Sequence, residues 1–289
     1  MVAWLIYNRK QAEYNKQYIE FYRLEGAKLE IEVRLILVEE LEFGVKNSNW
    51  IIHYEKQRIA YPDFAINRAI YPLLSRQLEL MGIRVFNNSF VADICNDKAK
   101  TYQYLARTGI PMVDSCFYKN DQLPDLLPQI KQPSVIKAVD GHGGSQVFLL
   151  NGIDGATNEV ILKGIASSDF VIQPLTGSRH QDLRVYVIGK DIIAAVLRTA
   201  KHGFKANFSL GGEVSLYQLS KQEKILVNTI IDMFDFDLVG IDFIIGEEGE
   251  LIFNEIEDVV GSRMLYQCSD YNIVKSYLKY ILHKMNNEI

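Results

Sequence analysis

The residues best suited to chemistry fall into three groups. In the first, an apolar run around Val135 and Ile136 delivers Lys137, and a glycine loop begins four residues later. That loop, Gly141–Gln146, contains Gly143, Gly144 and Ser145. Glycine lets backbone N–H groups approach phosphate oxygens, and a lysine near a strand end adds a point charge. The loop is not a Walker A motif, because no G-K-[ST] follows it, and it fails the G-x-G-x-x-G pattern. A tight hairpin would use the same glycines, so phosphate cradle and plain turn both stay open.

The second group is acidic. Asp242 interrupts the apolar run Val239–Ile245, and Glu255 and Glu257 stand two apart in Leu251–Glu257, with Asp258 beside them. A spacing of two puts both glutamates on one face of a strand. Like charges gathered in this way need a cation or basic side chains beside them, and oxygen-only donors suit Mg²⁺ next to substrate phosphates. The alternative is a solvated sheet face with Asp242 in a turn. In the third group, Asp182 and Arg184 stand at the entrance of an apolar strand, and Arg198 ends the next one, Ile192–Arg198. Lys205, Asn207, Gly211 and Gly212 follow. Together they would form an anion cradle opposite the acids, although each alone reads as structural.

These groups need a scaffold large enough to hold them. The chain has 289 residues, enough for two domains or three small lobes, and 48% hydrophobic residues can bury sizeable cores. A net charge of −5 argues against a nucleic-acid or anionic-membrane binder, either of which needs a basic surface. Cys95, Cys116 and Cys268 have no CxxC or Cys/His spacing, so neither a zinc site nor a disulfide framework is expected. No stretch approaches the ~20 apolar residues of a membrane span, and a cytoplasmic protein is expected. The five histidines, His53, His142, His180, His202 and His283, are scattered, with His142 and His202 near the site segments.

The first ~95 residues alternate strand and helix patterns. Val2–Tyr7, Ile31–Val38, Trp50–Tyr54, Phe64–Asn67 and Val85-Phe86 read as strands, and Gln11–Glu25 and Tyr71–Met81 as helices. Such alternation points to a mostly parallel α/β sheet. Asn96-Asp97 offers a cap to a helix over Lys98–Arg107. From Phe170 onward the pattern is rich in strands, with helices expected near Lys221–Phe234 and Asn272–Met285. Pro62–Arg68 ends a strand with polar groups, where open α/β sheets bind ligands. A capped turn with a surface arginine fits that stretch equally well.

Taken in order, Lys98, Lys137 with its glycine loop, Asp182-x-Arg184, Arg198, Asn207 before Gly211-Gly212, Asp242 and Glu255-x-Glu257 resemble the ATP-grasp superfamily. The closest resemblance is to its RimK-type branch of ATP-dependent carboxylate–amine ligases. The stretches NDKAKTYQYLARTGIP and DLRVYVIGKDIIAAVLR carry it most clearly. The resemblance implies an ATP-grasp fold of α+β lobes: a parallel α/β pre-ATP-grasp domain at 1–95, a central lobe at 96–174 and a C-terminal lobe at 175–289.

It further implies that Lys98 and Lys137 contact ATP phosphates under the loop holding Gly143, Gly144 and Ser145. Gln173, where the branch usually has glutamate, would face the adenine amino group, with the Leu175 backbone at the ring nitrogen and Asp182 at the ribose. Arg198 and Asn207 would face the γ-phosphate and an acyl phosphate, with Lys137 assisting catalysis. Asp242, Glu255 and Glu257 would hold two Mg²⁺ ions, with Mn²⁺ as a substitute. The branch usually carries asparagine where Glu257 stands, which leaves Glu257 and Asp258 as rival replacements. Arg184 receives no assigned contact, and Arg263 is a candidate to offset the extra charge or grip a substrate carboxylate.

The activity implied is amide or peptide bond formation between small-molecule or peptide carboxylates and amines. It would run through an acyl phosphate and release ADP and phosphate. An ATP-binding regulator with altered catalysis and an ATP-dependent phosphotransferase are the alternatives. A homo-oligomer is expected by family analogy alone, and neither nucleic acid nor membrane is an expected partner.

Overall fold

The structure is a computed structural model that describes residues 1–144, 146–150, 155–165, 167–177, 181–199 and 213–287. Ser145, Asn207, Gly211 and Gly212, together with Lys205, His180 and His202, lie outside the described residues.

The chain begins with β1 (Val2–Tyr7), α1 (Arg9–Tyr14), α2 (Lys16–Ala27), β2 (Glu32–Leu37), β3 (Leu41–Lys46), β4 (Asn49–Tyr54) and β5 (Gln57–Arg58). Then come β6 (Phe64–Asn67), α3 (Pro72–Leu80), β7 (Arg84–Phe86) and α4 (Ser89–Cys95). The middle of the chain forms α5 (Lys98–Leu105), β8 (Cys116–Tyr118), α6 (Leu123–Leu126), β9 (Ser134–Ala138), β10 (Val147–Leu150), α7 (Gly155–Ile165) and β11 (Phe170–Pro174). The remainder supplies β12 (Gln181–Ile188), β13 (Asp191–Thr199), β14 (Glu213–Tyr217), α8 (Lys221–Ile231), β15 (Leu238–Ile245), β16 (Leu251–Glu257), α9 (Arg263–Cys268) and α10 (Ile273–Asn287).

The expected parallel sheet is present as β2-β1-β6-β7, every pair parallel. Two expectations need correction. Residues 50–54 do form a strand, but β4 pairs antiparallel with β3 and β5 in a separate small sheet. Its tight turns set Asn47, Ser48, Glu55 and Lys56 at positive φ, between 50 and 62°, the backbone that two-residue hairpins require. The helix expected over Gln11–Glu25 breaks at Asn15, whose side-chain amide donates to the Gln11 carbonyl at 2.9 Å. Local side-chain bonding of this kind competes with the helical ladder.

The middle of the chain builds an antiparallel sheet, β10-β9-β11-β8, over its own core of Leu123, Ile136, Ile161 and Phe170. The third large sheet is antiparallel, β14-β13-β12-β15-β16. One face of it packs on α8 and receives Val91, Tyr102 and Leu105 from α4 and α5. Asp97 caps α5 by accepting from the Lys100 amide at 3.0 Å. The opposite side shares a core with the N-terminal sheet, in which Leu5, Tyr22 and Phe64 meet Tyr186, Val260 and Tyr277.

Asn87 fastens this junction. Its Nδ2 donates to the carbonyls of Leu238 and Asp258 at 2.8 and 3.1 Å, and its Oδ1 accepts from the amides of Asp237 and Leu238 at 2.7 and 3.1 Å. Among the described residues, no helix is long and apolar enough to cross a membrane.

Candidate active site

The site is assembled by strand register. Within a strand, residues two apart share a face, so Asp182 with Arg184, Gly240 with Asp242, and Glu255 with Glu257 all reach one side of the third sheet. Across strands, Asp182 stands opposite Arg198, Arg184 opposite Asp242, and Asp242 opposite Glu255. Gly240 completes the row between Tyr186 and Glu257. A Cβ there would lie 2.6 Å from Val260 Cγ2 and 3.4 Å from the Arg184 stem, so glycine is what lets residues 258–262 press against this face.

Asp242 lies within β15 and is 1% exposed, so the turn considered for it is ruled out. Arg184 donates to it through Nε at 2.7 Å and Nη2 at 2.6 Å, and Arg198 Nη2 adds a third bond at 2.7 Å. Burial alone would raise the Asp242 pKa; the two guanidiniums overcome it and hold the carboxyl down at about 2. Arg184 Nη2 also reaches Glu257 Oε1 at 2.8 Å, while Arg198 Nε donates to Asp182 Oδ1. Burial pushes Asp182 up to about 6, against the pull of Arg198. The Glu257 carboxyl is likewise raised by burial, with Arg184 opposing.

The charge beside Glu257 is therefore that of Arg184. Arg263 is engaged elsewhere: its Nη2 donates to the Tyr14 carbonyl at 3.0 Å and to Asn15 Oδ1 at 3.2 Å, and its guanidinium lies 4.0 Å from the centre of the Tyr14 ring. The break between α1 and α2 supplies the carbonyl it takes.

One oxygen from each of Asp242, Glu255 and Glu257 comes within 4.8 Å of the others. An all-oxygen set of this size fits a hard divalent cation such as Mg²⁺. Arg184 bridges Asp242 and Glu257 in the structure, so its guanidinium holds together two of the three acids that would hold the cation.

The lysines approach from the other sheet. The loop between β9 and β10 is an antiparallel hairpin connection, with Gly143 and Gly144 at φ 63 and 73°. Its glycines also line the cleft, so the turn reading and the cradle reading are compatible. Lys137, buried in β9, donates to Asn254 Oδ1 at 2.9 Å. Burial lowers its pKa to about 8, with Glu255 opposing and Lys98 adding to the fall. The Lys98 amide donates to the Val139 carbonyl at 2.9 Å, which ties the start of α5 to the end of β9. Its Nζ bonds the Gly141 carbonyl at 2.5 Å and lies 3.4 Å from Glu255 Oε2. Gln173, 3% exposed on β11, donates to Ser115 Oγ at 2.8 Å, and the Leu175 amide donates to the Pro133 carbonyl at 3.3 Å.

Lys98, Lys137, Gln173, Leu175, Asp182 and Glu255 thus line one cleft of about 920 Å³ that opens to solvent. A second cleft of about 2270 Å³ extends from Arg184, Arg198, Glu255 and Glu257 to Arg68 and Tyr7 of the N-terminal sheet. Glu255 and Gly144 belong to both. Asn254 was not singled out from the sequence. A register shift beside Asp242 pairs it with Glu255 while Phe243 pairs with Phe253, so Asn254 is the extra residue of a bulge. A bulge re-aims a side chain without a compositional signal.

Residues 95–281 match the family model of the RimK-like ATP-grasp domain. A probable alpha-L-glutamate ligase of Legionella pneumophila is 31% identical over 213 residues, covering 72% of this chain and 70% of that protein. Two solved structures share the fold. The ATP-grasp ligase PsnB, complexed with a minimal precursor, has a TM-score of 0.68 at 15% identity, over 97% of this chain and 98% of that one. D-alanyl-alanine synthetase A from Vibrio cholerae reaches 0.71 at 13% identity, over 99% of both.

Proposed function

The chain belongs to the RimK-like ATP-grasp family, and from that membership we propose that it is an ATP- and Mg²⁺-dependent carboxylate–amine ligase. It forms an amide or peptide bond through an acyl phosphate and releases ADP and phosphate. The carrying observation is the junction of the two clefts. One is lined by two lysines; the other is wider, reaches the N-terminal sheet, and meets the first at the acidic cluster. A transfer between substrates requires such a meeting point.

The nucleotide would lie between the middle and C-terminal sheets, in a three-lobe division at 1–95, 96–174 and 175–289. Gln173 has its amide nitrogen on Ser115 and keeps Oε1 to accept the adenine amino hydrogen. Asp182, ionised at pH 7, keeps an oxygen for the ribose. Lys98 and Lys137 neutralise the phosphates, and left-handed backbone at Gly143 and Gly144 turns N–H groups toward them. Asp242, Glu255 and Glu257 would hold Mg²⁺, two ions in the full site, and the metal would supply charge neutralisation and a template for the phosphates.

A carboxylate substrate attacks the γ-phosphorus, ADP departs, and the acyl phosphate then loses phosphate to an incoming amine. Arg198 faces the charge that develops on the transferred group. Asn207 is assigned to the same place by family resemblance. No protein nucleophile is needed.

The test is incubation with ATP, Mg²⁺ and pooled amino acids or peptides, read by mass detection, with L-glutamate in the pool because of the Legionella relative. ADP, phosphate and a condensed product support the ligase. A stable phosphoester means a phosphotransferase, and nucleotide binding without turnover means a regulator; either overturns the proposal.

Lys137 gives the reading a pH signature. Its ammonium must be charged to meet a triphosphate, and it titrates at about 8. kcat/KM for ATP reports ionisations of the free enzyme, so it should fall above about pH 8. In Lys137→Arg this limb should vanish below pH ~10, since arginine stays charged. A limb that persists in the variant belongs to another group.

A further inference from the structure

The small sheet of the first lobe leaves one edge open. It runs β3-β4-β5, so β3 has a strand on one side alone. Natural edge strands are usually shortened, bulged, interrupted by proline or covered. β3 is six residues long, pairs with β4 without a register shift and contains no proline. Val45 is 68% exposed, and Trp50, opposite it on β4, is 48% exposed.

The hairpin decides which backbone groups face outward. Asn47 and Ser48 form a two-residue turn with both φ positive, so Lys46 and Asn49 are its closing hydrogen-bonded pair. Antiparallel pairs alternate between hydrogen-bonded and not, which turns the even-numbered residues of β3 toward β4. Just before the strand, the Glu55 amide accordingly donates to the Glu40 carbonyl at 2.9 Å. Leu41, Phe43 and Val45 therefore point their N–H and C=O groups away from the sheet, and a strand added there must bond to these odd-numbered residues.

A copy of β3 running antiparallel about a two-fold axis at Gly44 meets that condition. Phe43 exchanges both hydrogen bonds with the partner's Val45, and symmetry repeats the exchange. On one face Glu42 meets the partner's Lys46. Glu42 keeps 69% of its side-chain surface exposed, with Oε2 3.5 Å from His53 Nδ1, and Lys46 is also exposed. Gly44 meets its own copy, and a Cβ there would touch nothing of its own chain within 4 Å, so that face is open at the axis. On the other face Phe43 stands against Tyr71, ring centres 5.4 Å apart, and packs on the core that holds Trp4 and Ile52. The partner's Val45 thus arrives at the rim of a core. Axes at Phe43 or Val45 would set Gly44 against Glu42 or Lys46 and lose the charge match.

We infer that the free edge of β3 is an interaction surface for a second copy of this chain, joined strand to strand in a two-fold dimer with Glu42 on the partner's Lys46. An isologous contact of this kind closes on itself. β3 lines neither cleft, so the inference stands apart from the ligase reading. Two short strands make a small interface, and the dimer dissociates on dilution.

Sedimentation of the full chain across about 1–300 µM reads the mass directly. The wild type should move from the mass of one chain toward that of two. Glu42→Lys and Lys46→Glu each set like charges opposite one another and should weaken dimerisation at least about tenfold. Their melting temperatures should not change, because both side chains are exposed. Val45→Pro removes an outward N–H and no bond of the hairpin, and should also give monomers. Mixing Glu42→Lys with Lys46→Glu brings opposite charges together at both contacts and should restore the dimer. A wild type that stays monomeric, a dimer indifferent to all three substitutions, or a mixture no heavier than its components overturns the inference.

Discussion

Asp242→Ala is expected to abolish ATP turnover and to lower stability by about 3–5 kcal/mol, the range for breaking a buried ion pair by removing one partner. The size follows from what remains. Asp242 is 1% exposed and takes three charged hydrogen bonds from Arg184 and Arg198 at 2.6–2.7 Å. Without it, Arg184 keeps Glu257 and Arg198 keeps Asp182, but two guanidiniums share a buried space with one counter-charge fewer. For a chain of this length the loss corresponds to a fall in melting temperature on the order of 10 °C, measurable with urea unfolding as a second probe.

The sign with pH follows from the same carboxyl. Its folded pKa of about 2 is below its unfolded value. Its contribution is therefore complete above about pH 4 and is lost as pH falls through 2. The variant should accordingly lose stability at neutral pH and lose less than the wild type on acidification. A combined Arg184→Met, Asp242→Leu, Arg198→Met chain should recover much of the stability, since apolar replacements of a buried charged cluster are often neutral, and should remain inactive. A stable but inactive Asp242→Ala single variant would show that the cluster adds nothing to the fold.

Much of this site could be read from the sequence because its signals are local. Asp242 between Ile241 and Phe243 marks an acid inside an apolar strand, and the spacing of Glu255 and Glu257 fixes their common face. The parallel order of the first lobe follows from strand–helix alternation. What escaped reading depends on partners distant in sequence. Arg184 meets Asp242 across 58 residues, and Arg68 is buried because Val260, 192 residues away, accepts from it. Neither pairing leaves a trace in spacing. The bulge at Asn254 and the turns at Asn47-Ser48 and Glu55-Lys56 are local, but they lack the glycine that usually marks such backbone. The break at Asn15 is hidden by an apolar pattern that continues through it.

Glu257 carries the other large effect, because it stands where the resembling branch has asparagine. Two roles are compatible with its position. As a metal ligand it would complete the set with Asp242 and Glu255; as a counter-ion it would serve only to hold Arg184 at 2.8 Å. Removing a group that merely supports a metal ligand typically costs 10–100-fold, so losing a ligand should cost at least about 100-fold. We therefore expect Glu257→Ala to lower kcat by about that factor and to raise the Mg²⁺ concentration needed for half-maximal rate.

Glu257→Asn retains an oxygen donor, removes a charge beside the triphosphate, and should restore most of the activity. Stability serves as the control here. Arg184 keeps its two bonds to Asp242 in either variant, so both should unfold within about 1 kcal/mol of wild type, as expected for loss of a pair open to the cleft. If Glu257 were only the partner of Arg184, alanine and asparagine would behave alike and the Mg²⁺ requirement would not move. Rescue by asparagine together with a shifted Mg²⁺ requirement in the alanine variant is the pattern that a ligand role alone produces.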